Sequence, residues 1–124
     1  LLIGIETRAS FSVSQNEDRS EILFYMQEHF GRGHMRRDYS DKTLKYEVRK
    51  FDDLLTKIIP HFRKYPLLSG KQKDFERFAR ICFLMKAGKH HMKFGLRAIV
   101  RCAYQMNPSG KRRYPQAELL ALLR

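Results

Sequence analysis

Apolar residues recur along this chain in two rhythms, and the switches between the rhythms divide it into elements. Around Phe11 and Val13 the period is two, with Ser10, Ser12 and Ser14 on the opposite side. That alternation predicts a strand with one apolar face over residues 3–14. Asn16 suits the cap of a following helix, in which Ile22, Leu23, Met26 and Phe30 return at helical spacing before Gly31 stops it. Residues 32–37, RGHMRR, and 44–49, LKYEVR, alternate again. The polar DYSDKT between them predicts a hairpin with a loop of about five to seven residues. Leu44, Tyr46 and Val48 share one face of the second hairpin strand, and Lys45, Glu47 and Arg49 share the other. In the first hairpin strand Met35 points inward, with His34 and Arg36 outward.

Beyond the hairpin the rhythm is helical. Asp52 is the expected cap of a helix whose stripe is Leu54, Leu55, Ile58, Ile59 and Phe62, with Pro60 kinking it or ending it early. Residues 66–71, PLLSGK, form a loop, and Ser69 caps a third helix with the stripe Phe75, Phe78, Ala79, Cys82 and Met85, closed by Gly88. A fourth helix carries Leu96, Ile99, Val100 and Ala103. NPSGKRRYP, residues 107–115, breaks it, and a short helix with Leu119, Leu120, Leu122 and Leu123 follows. No repeat or low-complexity tract interrupts this order. The class is α+β: a small antiparallel sheet, saddle-like, with helices packed on one face and the other face open to a partner.

Charge changes this picture most. The chain has 124 residues, which suits a single domain spanning 1–124. It carries 25 Lys and Arg against 13 Asp and Glu, a net charge of +12, which points to a polyanionic partner. No apolar run approaches the ~20 residues of a spanning helix, and no cationic start precedes an apolar signal region. A membrane partner is therefore not expected. Cys82 and Cys102 fall in helical patterns and read as buried thiols of a reducing, intracellular compartment. His90 and His91 are adjacent, and helical neighbours point roughly 100° apart, which disfavours a shared metal. The chain opens Leu1-Leu2-Ile3-Gly4 without a methionine, as a fragment, a processed chain or a trimmed one would.

The outward strand residues are Ser10, Ser12, Ser14, His34, Arg36, Lys45, Glu47 and Arg49. Cations neutralise phosphates, and mixed donors and acceptors suit base edges. A two-stranded ribbon fits the major groove of duplex DNA, roughly 12 Å wide. Lys111, Arg112 and Arg113, followed by Tyr114, are a further candidate for clamping phosphates.

SFSVSQNEDR, then FGRGHMRRDYSDKTLKYEVRKFDDLLTKIIPHFRKYPLLSGKQKDFERF, then MKAGKHHMKFGLRAIVRCAYQMNPSGKRRYP resemble the LAGLIDADG homing endonucleases over nearly all of residues 8–115. The F-x-V-x-Q strand, the K-Y-E-V-R strand with its D-D-L helix, and Y-P-L-L-S-x-K before D-F-x-x-F carry the resemblance. It implies an αββαββα core whose strand saddle lies along the major groove, and site-specific double-strand cleavage assisted by Mg²⁺. It also implies assembly as a homodimer or as two half-domains in one chain. By the same resemblance, Lys71 is the basic residue near the scissile phosphate.

One departure is as informative as the match. Laid on residues 1–11, the family's acidic motif puts Glu6 at its first acid and Arg8 at its catalytic acid, and arginine cannot ligate Mg²⁺. The better placement makes residues 3–14 the second strand of the first hairpin, with the motif helix before Leu1. Asp52 and Asp53 read as cap and first-turn charges, and Asp74 and Glu76 as solvent-facing. The expectation is therefore DNA binding with little cleavage by this chain alone. Two alternatives remain: a non-catalytic DNA-binding regulator, and an intron maturase that binds structured RNA.

Overall fold

The computed structural model describes residues 7–106 and 114–124. They fall into two compact units, one of residues 9–65 and one of residues 66–106 and 114–124 together with residues 7–8.

The first unit is built on a three-stranded antiparallel sheet of order β1-β3-β2, with β1 at Phe11–Asn16, β2 at His34–Asp38 and β3 at Thr43–Val48. β3 lies between the other two, so its pleat decides what each face carries. Leu44, Tyr46 and Val48 are buried on one side. Helix α1, Glu21–Phe30, joins β1 to β2 and lays Leu23 and Phe30 against that side. After β3 a continuous helical stretch follows: α2 at Phe51–Asp53, a π-helical segment at Leu54–Ile58, and α3 at Ile59–Lys64.

Aromatic rings close this core. Phe30 stacks on Tyr46 with ring centroids 6.4 Å apart, and Phe11 meets both edge-on. Phe62 of α3 lies 5.5 Å from Phe11. Such pairs add roughly 0.5–1.5 kcal/mol each beyond their burial. Tyr46 hides its ring completely and donates its hydroxyl to the Arg32 carbonyl at 2.6 Å. Burial, and then the Asp53 carboxylate, push this phenol above its usual range. At the end of α1, His29 Nε2 lies 3.3 Å from His61 Nδ1 of α3, tying the two helices together.

The second unit is helical. Helix α4, Lys71–Lys86, packs on α5, Lys93–Gln105, and α5 contacts α6, Gln116–Leu122. Ile81, Ile99 and Cys102 form the core between α4 and α5, flanked by Leu84, Met85, Ala103 and Met106. Side chains tie the helices end to end: Arg77 donates to the Gln105 carbonyl at 2.9 Å and Arg97 to the Leu120 carbonyl at 2.8 Å. Gly95 is needed for close approach, because a Cβ there would collide with the Lys89 carbonyl. Burial pushes the Cys82 thiol up to about 11, and burial also raises the Cys102 thiol. Both cysteines are free and buried, as their place in apolar stripes predicts.

The α+β class holds, and so do the hairpin and the face assignments of β3, but several expectations change. The first strand covers Phe11–Asn16, not residues 3–14; residues 7–10 are not strand, and residues 3–6 lie outside the described residues. Asn16 caps nothing with its side chain, and α1 starts only after a 3-10 turn at Glu17–Arg19. Ile22, expected in the buried stripe, is 52% exposed because α1 turns Leu23 inward instead. The hairpin pairs Asp38 with Thr43, which shortens its loop to residues 39–42. The helix after β3 begins at Phe51, with Lys50 and not Asp52 at its N-cap, and α4 is preceded by Gly70 with no side-chain cap from Ser69. Pro60 does not end the stretch; it stands in the first turn of α3. The wider π turn just before it, with the Ile59 N–H on the Leu54 carbonyl, accommodates the missing donor. Asp53 is a first-turn charge as expected, and it is buried and paired with Arg32 at 3.6 Å. His90 and His91 stand in a 3-10 turn, which brings their rings to 3.8 Å rather than splaying them.

Gly33 holds a positive φ of 93°, and a Cβ there would meet Tyr46 Cε1 at 2.7 Å and the Glu47 carbonyl at 2.8 Å. Gly33→Ala should destabilise the first unit by about 2 kcal/mol or more. Gly31→Ala, whose φ of 66° is strained but whose Cβ would meet nothing within 4 Å, should cost about 1 kcal/mol. Chemical denaturation of both variants measures the difference, and equal losses would remove the steric account.

Burial, and then His29, lower the pKa of His61 from its ordinary 6.5. The unfolded chain therefore binds this proton first, so the contribution is complete above about pH 6.5 and is lost as pH falls through the folded value. The melting temperature should drop between about pH 7.5 and about pH 5 by more in the native chain than in His61→Phe. An equal drop would assign the loss to other groups.

Candidate nucleic-acid interface

The register of the sheet aligns the polar side chains of its second face in rows. Ser12 of β1, Glu47 of β3 and His34 of β2 lie across from one another, and so do Ser14, Lys45 and Arg36. Residues opposite one another in antiparallel strands point to the same side, so six of the eight residues expected on this face stand together on three strands. Ser10 precedes β1 and Arg49 follows β3, both exposed and each two residues beyond a row member of its own strand. Lys111, Arg112 and Arg113 lie outside the described residues, as does Glu6.

The face is not uniform. Ser12, Ser14, His34, Arg36 and Arg49 are exposed and Lys45 is half-buried, but Glu47 is only 5% exposed. Its outward direction was legible in the pattern; its burial was not. Arg49 Nε lies 2.7 Å from Glu47 Oε1, and His34 Nε2 lies 3.4 Å from it. Neither contact is aligned as a hydrogen bond, so Oε1 has no hydrogen-bond partner.

At the hairpin end of the face, Ser14, Arg36 and Lys45 line a depression with Arg37, Asp38, Tyr39, Asp41 and Thr43. Arg37 and Tyr39 were not among the expected site residues. Arg37 pairs with Glu17 at 3.1 Å on the edge strand, and Tyr39 is exposed in the loop. The signal that marks them is position alone, beside a turn that closes next to the cationic row. Asp38 shapes that turn by accepting the Ser40 hydroxyl at 2.6 Å and the backbone N–H groups of Ser40 and Asp41 at 3.0 and 3.2 Å. The Ser40 hydroxyl, and next the Asp41 N–H, hold its carboxyl below the usual carboxylate range.

In the second unit, Lys71 opens α4 at the protein surface. It lines a hollow with Leu68, Ser69, Gly70, Lys73, Asp74, Arg77 and Gln105. Asp74 is half-buried and pairs with Arg77 at 3.2 Å rather than facing solvent, whereas Glu76 is exposed. Among the described residues no group of three or more His, Cys, Asp or Glu is placed to hold a metal ion.

The described residues thus combine a three-stranded antiparallel sheet, an aromatic core on one of its faces and an open face that carries Arg36, Lys45 and Arg49. The family profile described as LAGLIDADG endonuclease matches residues 2–82, and the chain belongs to that family. It is 31% identical over 106 residues to "Probable intron-encoded endonuclease 2" of Neurospora crassa, across 85% of this chain and 24% of the relative. The chain thus spans about a quarter of the length of that curated relative. Among solved structures, the homing endonuclease I-TnaI superposes with a TM-score of 0.80 at 30% identity, covering 93% of this chain and 76% of that one. The archaeal intron-encoded homing endonuclease I-Vdi141I, complexed with DNA, gives a TM-score of 0.80 at 28% identity over 92% of this chain and 73% of that one. Divalent-metal dependence is a general property of the family. None of the described helices is long and apolar enough to cross a membrane.

The Asp38 turn gives a test of the hairpin geometry. Its carboxyl carbon should titrate below 3.8 by NMR. As pH falls through that lowered value the carboxylate loses acceptor capacity, and protection of the Ser40 and Asp41 amides should fall with it. Asp38→Ala should remove that protection at neutral pH, and unchanged exchange there would show that the loop is held by something else.

Proposed function

We propose that this chain is a duplex-DNA-binding domain of a homing endonuclease, acting through the sheet face that carries Ser10, Ser12, Ser14, His34, Arg36, Lys45, Glu47 and Arg49. The observation that carries the proposal is the pair of aligned rows across three strands, with cations on a face opposite the aromatic core. Outer strands two spacings apart are separated by roughly 10 Å, and the major groove is roughly 12 Å wide. The sheet can therefore enter the groove with its rows directed at base edges. Family membership and the DNA complex of I-Vdi141I support the same reading.

Lys71 is proposed as the basic residue beside the scissile phosphate, stabilising developing negative charge. Mg²⁺ is the metal proposed for the complete enzyme; when bound it would polarise the phosphate and activate water. The described residues supply no ligand set for it, so phosphodiester cleavage is assigned to an assembly with a second half, from another copy or from a longer chain. Lys111, Arg112 and Arg113 are proposed to hold phosphates without reading sequence. The location is proposed to be intracellular, in the compartment where an intron-encoded product meets DNA, by analogy with the intron-encoded relative.

Binding of fluorescent duplex DNA should weaken on the order of 10³–10⁵ between about 50 and about 200 mM salt if ~6–10 phosphates are contacted. Alanine at Lys111, Arg112 or Arg113 should weaken all sequences alike and lower the salt slope by about one. Alanine at Arg36 or Lys45 should change base preference in a site selected from a random library, by roughly 1–3 kcal/mol at the affected position. A flat salt titration, or tighter binding to structured intron RNA than to any duplex, would overturn the reading.

A further inference from the structure

Glu47 stands in the middle of the candidate recognition face, yet it is not built like a residue that touches DNA. Its row neighbours Ser12 and His34 are exposed, while its own side chain is 7% exposed. The side chains of Arg49 and His34, 59% and 54% exposed, carry the guanidinium and the imidazole that approach its Oε1. The carboxylate is thus at the floor of the face, below the groups that a duplex would meet first. A Glu that reads a cytosine must reach its exocyclic amino group directly, and a buried carboxylate does not.

We propose that Glu47 is a positioning residue that fixes the Arg49 guanidinium and the His34 imidazole in the orientation from which they contact base edges. This rests on the DNA-binding reading above. The geometry of the ion pair suits the role. Arg49 Nε comes within 2.7 Å of Oε1 without forming an aligned hydrogen bond. Coulomb attraction at that distance restrains where the guanidinium sits, and its planar fork remains available to two acceptors on a base such as guanine. A restrained side chain loses less rotamer freedom on binding, so the contact gains in affinity and selectivity. Burial has a second consequence. A carboxylate exposed on this face would repel phosphates, whereas one sunk beneath the Arg49 guanidinium and the His34 ring is shielded from them.

The effects of neutralising Glu47 on specific and non-specific binding therefore have opposite signs. Glu47→Gln keeps the shape and removes the anchor charge. With a duplex selected from a random library by the native chain, discrimination against single-base changes should fall roughly tenfold at the base pair that Arg49 reads. Binding to random-sequence duplex should stay equal or become tighter, because the face has lost a negative charge. In an Arg49→Ala background, Glu47→Gln should lower discrimination at that base pair no further. Loss at a different base pair that persists without Arg49 would make Glu47 a direct reader and overturn the proposal. So would uniform weakening on every sequence, the mark of a merely structural role.

A readout in the free protein separates this from failure of the DNA reading. The Arg49 Nε–H order parameter from ¹⁵N relaxation should fall into the flexible range in Glu47→Gln. An unchanged order parameter would overturn the anchor whether or not any duplex is bound. If the library yields no enriched duplex, the DNA reading fails, and the base-edge role of Glu47 fails with it; the order parameter then reports on the restraint of Arg49 alone.

Discussion

Tyr46 sits wholly buried at the middle of the central strand, and its ring and hydroxyl together pin the sheet. The ring stacks on Phe30 from α1 and meets Phe11 from β1 edge-on, while the hydroxyl donates to the Arg32 carbonyl just before β2. One side chain therefore references the elements of the sheet to a common point. Gly33 makes this possible, since its left-handed backbone lets the chain pass against the tyrosine ring where a Cβ would collide. A slip of β3 by one residue would remove Tyr46 from this socket and present its polar residues to the core. The alignment of Ser12, Glu47 and His34, and of Ser14, Lys45 and Arg36, is thus a consequence of aromatic packing on the other face.

That division of labour explains why a buried carboxylate is tolerated in so basic a face. Cations arrayed on neighbouring strands repel one another, and several of them compete for the same solvent. Glu47 pairs with Arg49 and offsets its charge locally, while Glu17 does the same for Arg37 at the edge strand. Both acids are placed so that a cation is the more exposed partner. An exposed pair such as Arg37 with Glu17 contributes little to stability, so what it supplies is the placing of the cation.

The parts of this fold written in period-two alternation were legible from sequence, because alternation specifies both the strand and its faces. Leu44, Tyr46 and Val48 announced the core side of β3, and the outward residues followed from them. Helix boundaries were less legible. Asp52 and Ser69 have good capping chemistry, but the helices start at Phe51 and Lys71 with no side-chain cap. A cap is worth about 1 kcal/mol, which the packing of Leu54, Ile58 and Phe75 readily outweighs. Ile22 was misplaced for a related reason: one helical stripe can be drawn through either Ile22 or Leu23, and only the position of Phe30 against Tyr46 decides. At the candidate site, the direction of Glu47 was readable, but its burial depends on where Arg49 and His34 place their ends. Side-chain ends leave no period in a sequence.

The same logic determines which positions can vary. Side chains toward the aromatic core are constrained by volume, since interiors are packed to near-crystal density and even one methylene is felt. Ser12, Ser14, Arg36 and Lys45 have no such constraint, because the open face requires only that a side chain project from the strand. Replacing them leaves the register untouched, so base preference is separable from stability at these positions. Glu47 is the exception. It belongs to the open face by direction and to the interior by burial, and any substitution there acts on Arg49 and His34 at once. On the proposed DNA-binding reading, recognition on this sheet divides into independent contacts at its hairpin end and a coupled trio at the Glu47 row. A change of sequence preference through the first can proceed one residue at a time, whereas through the second it requires concerted change.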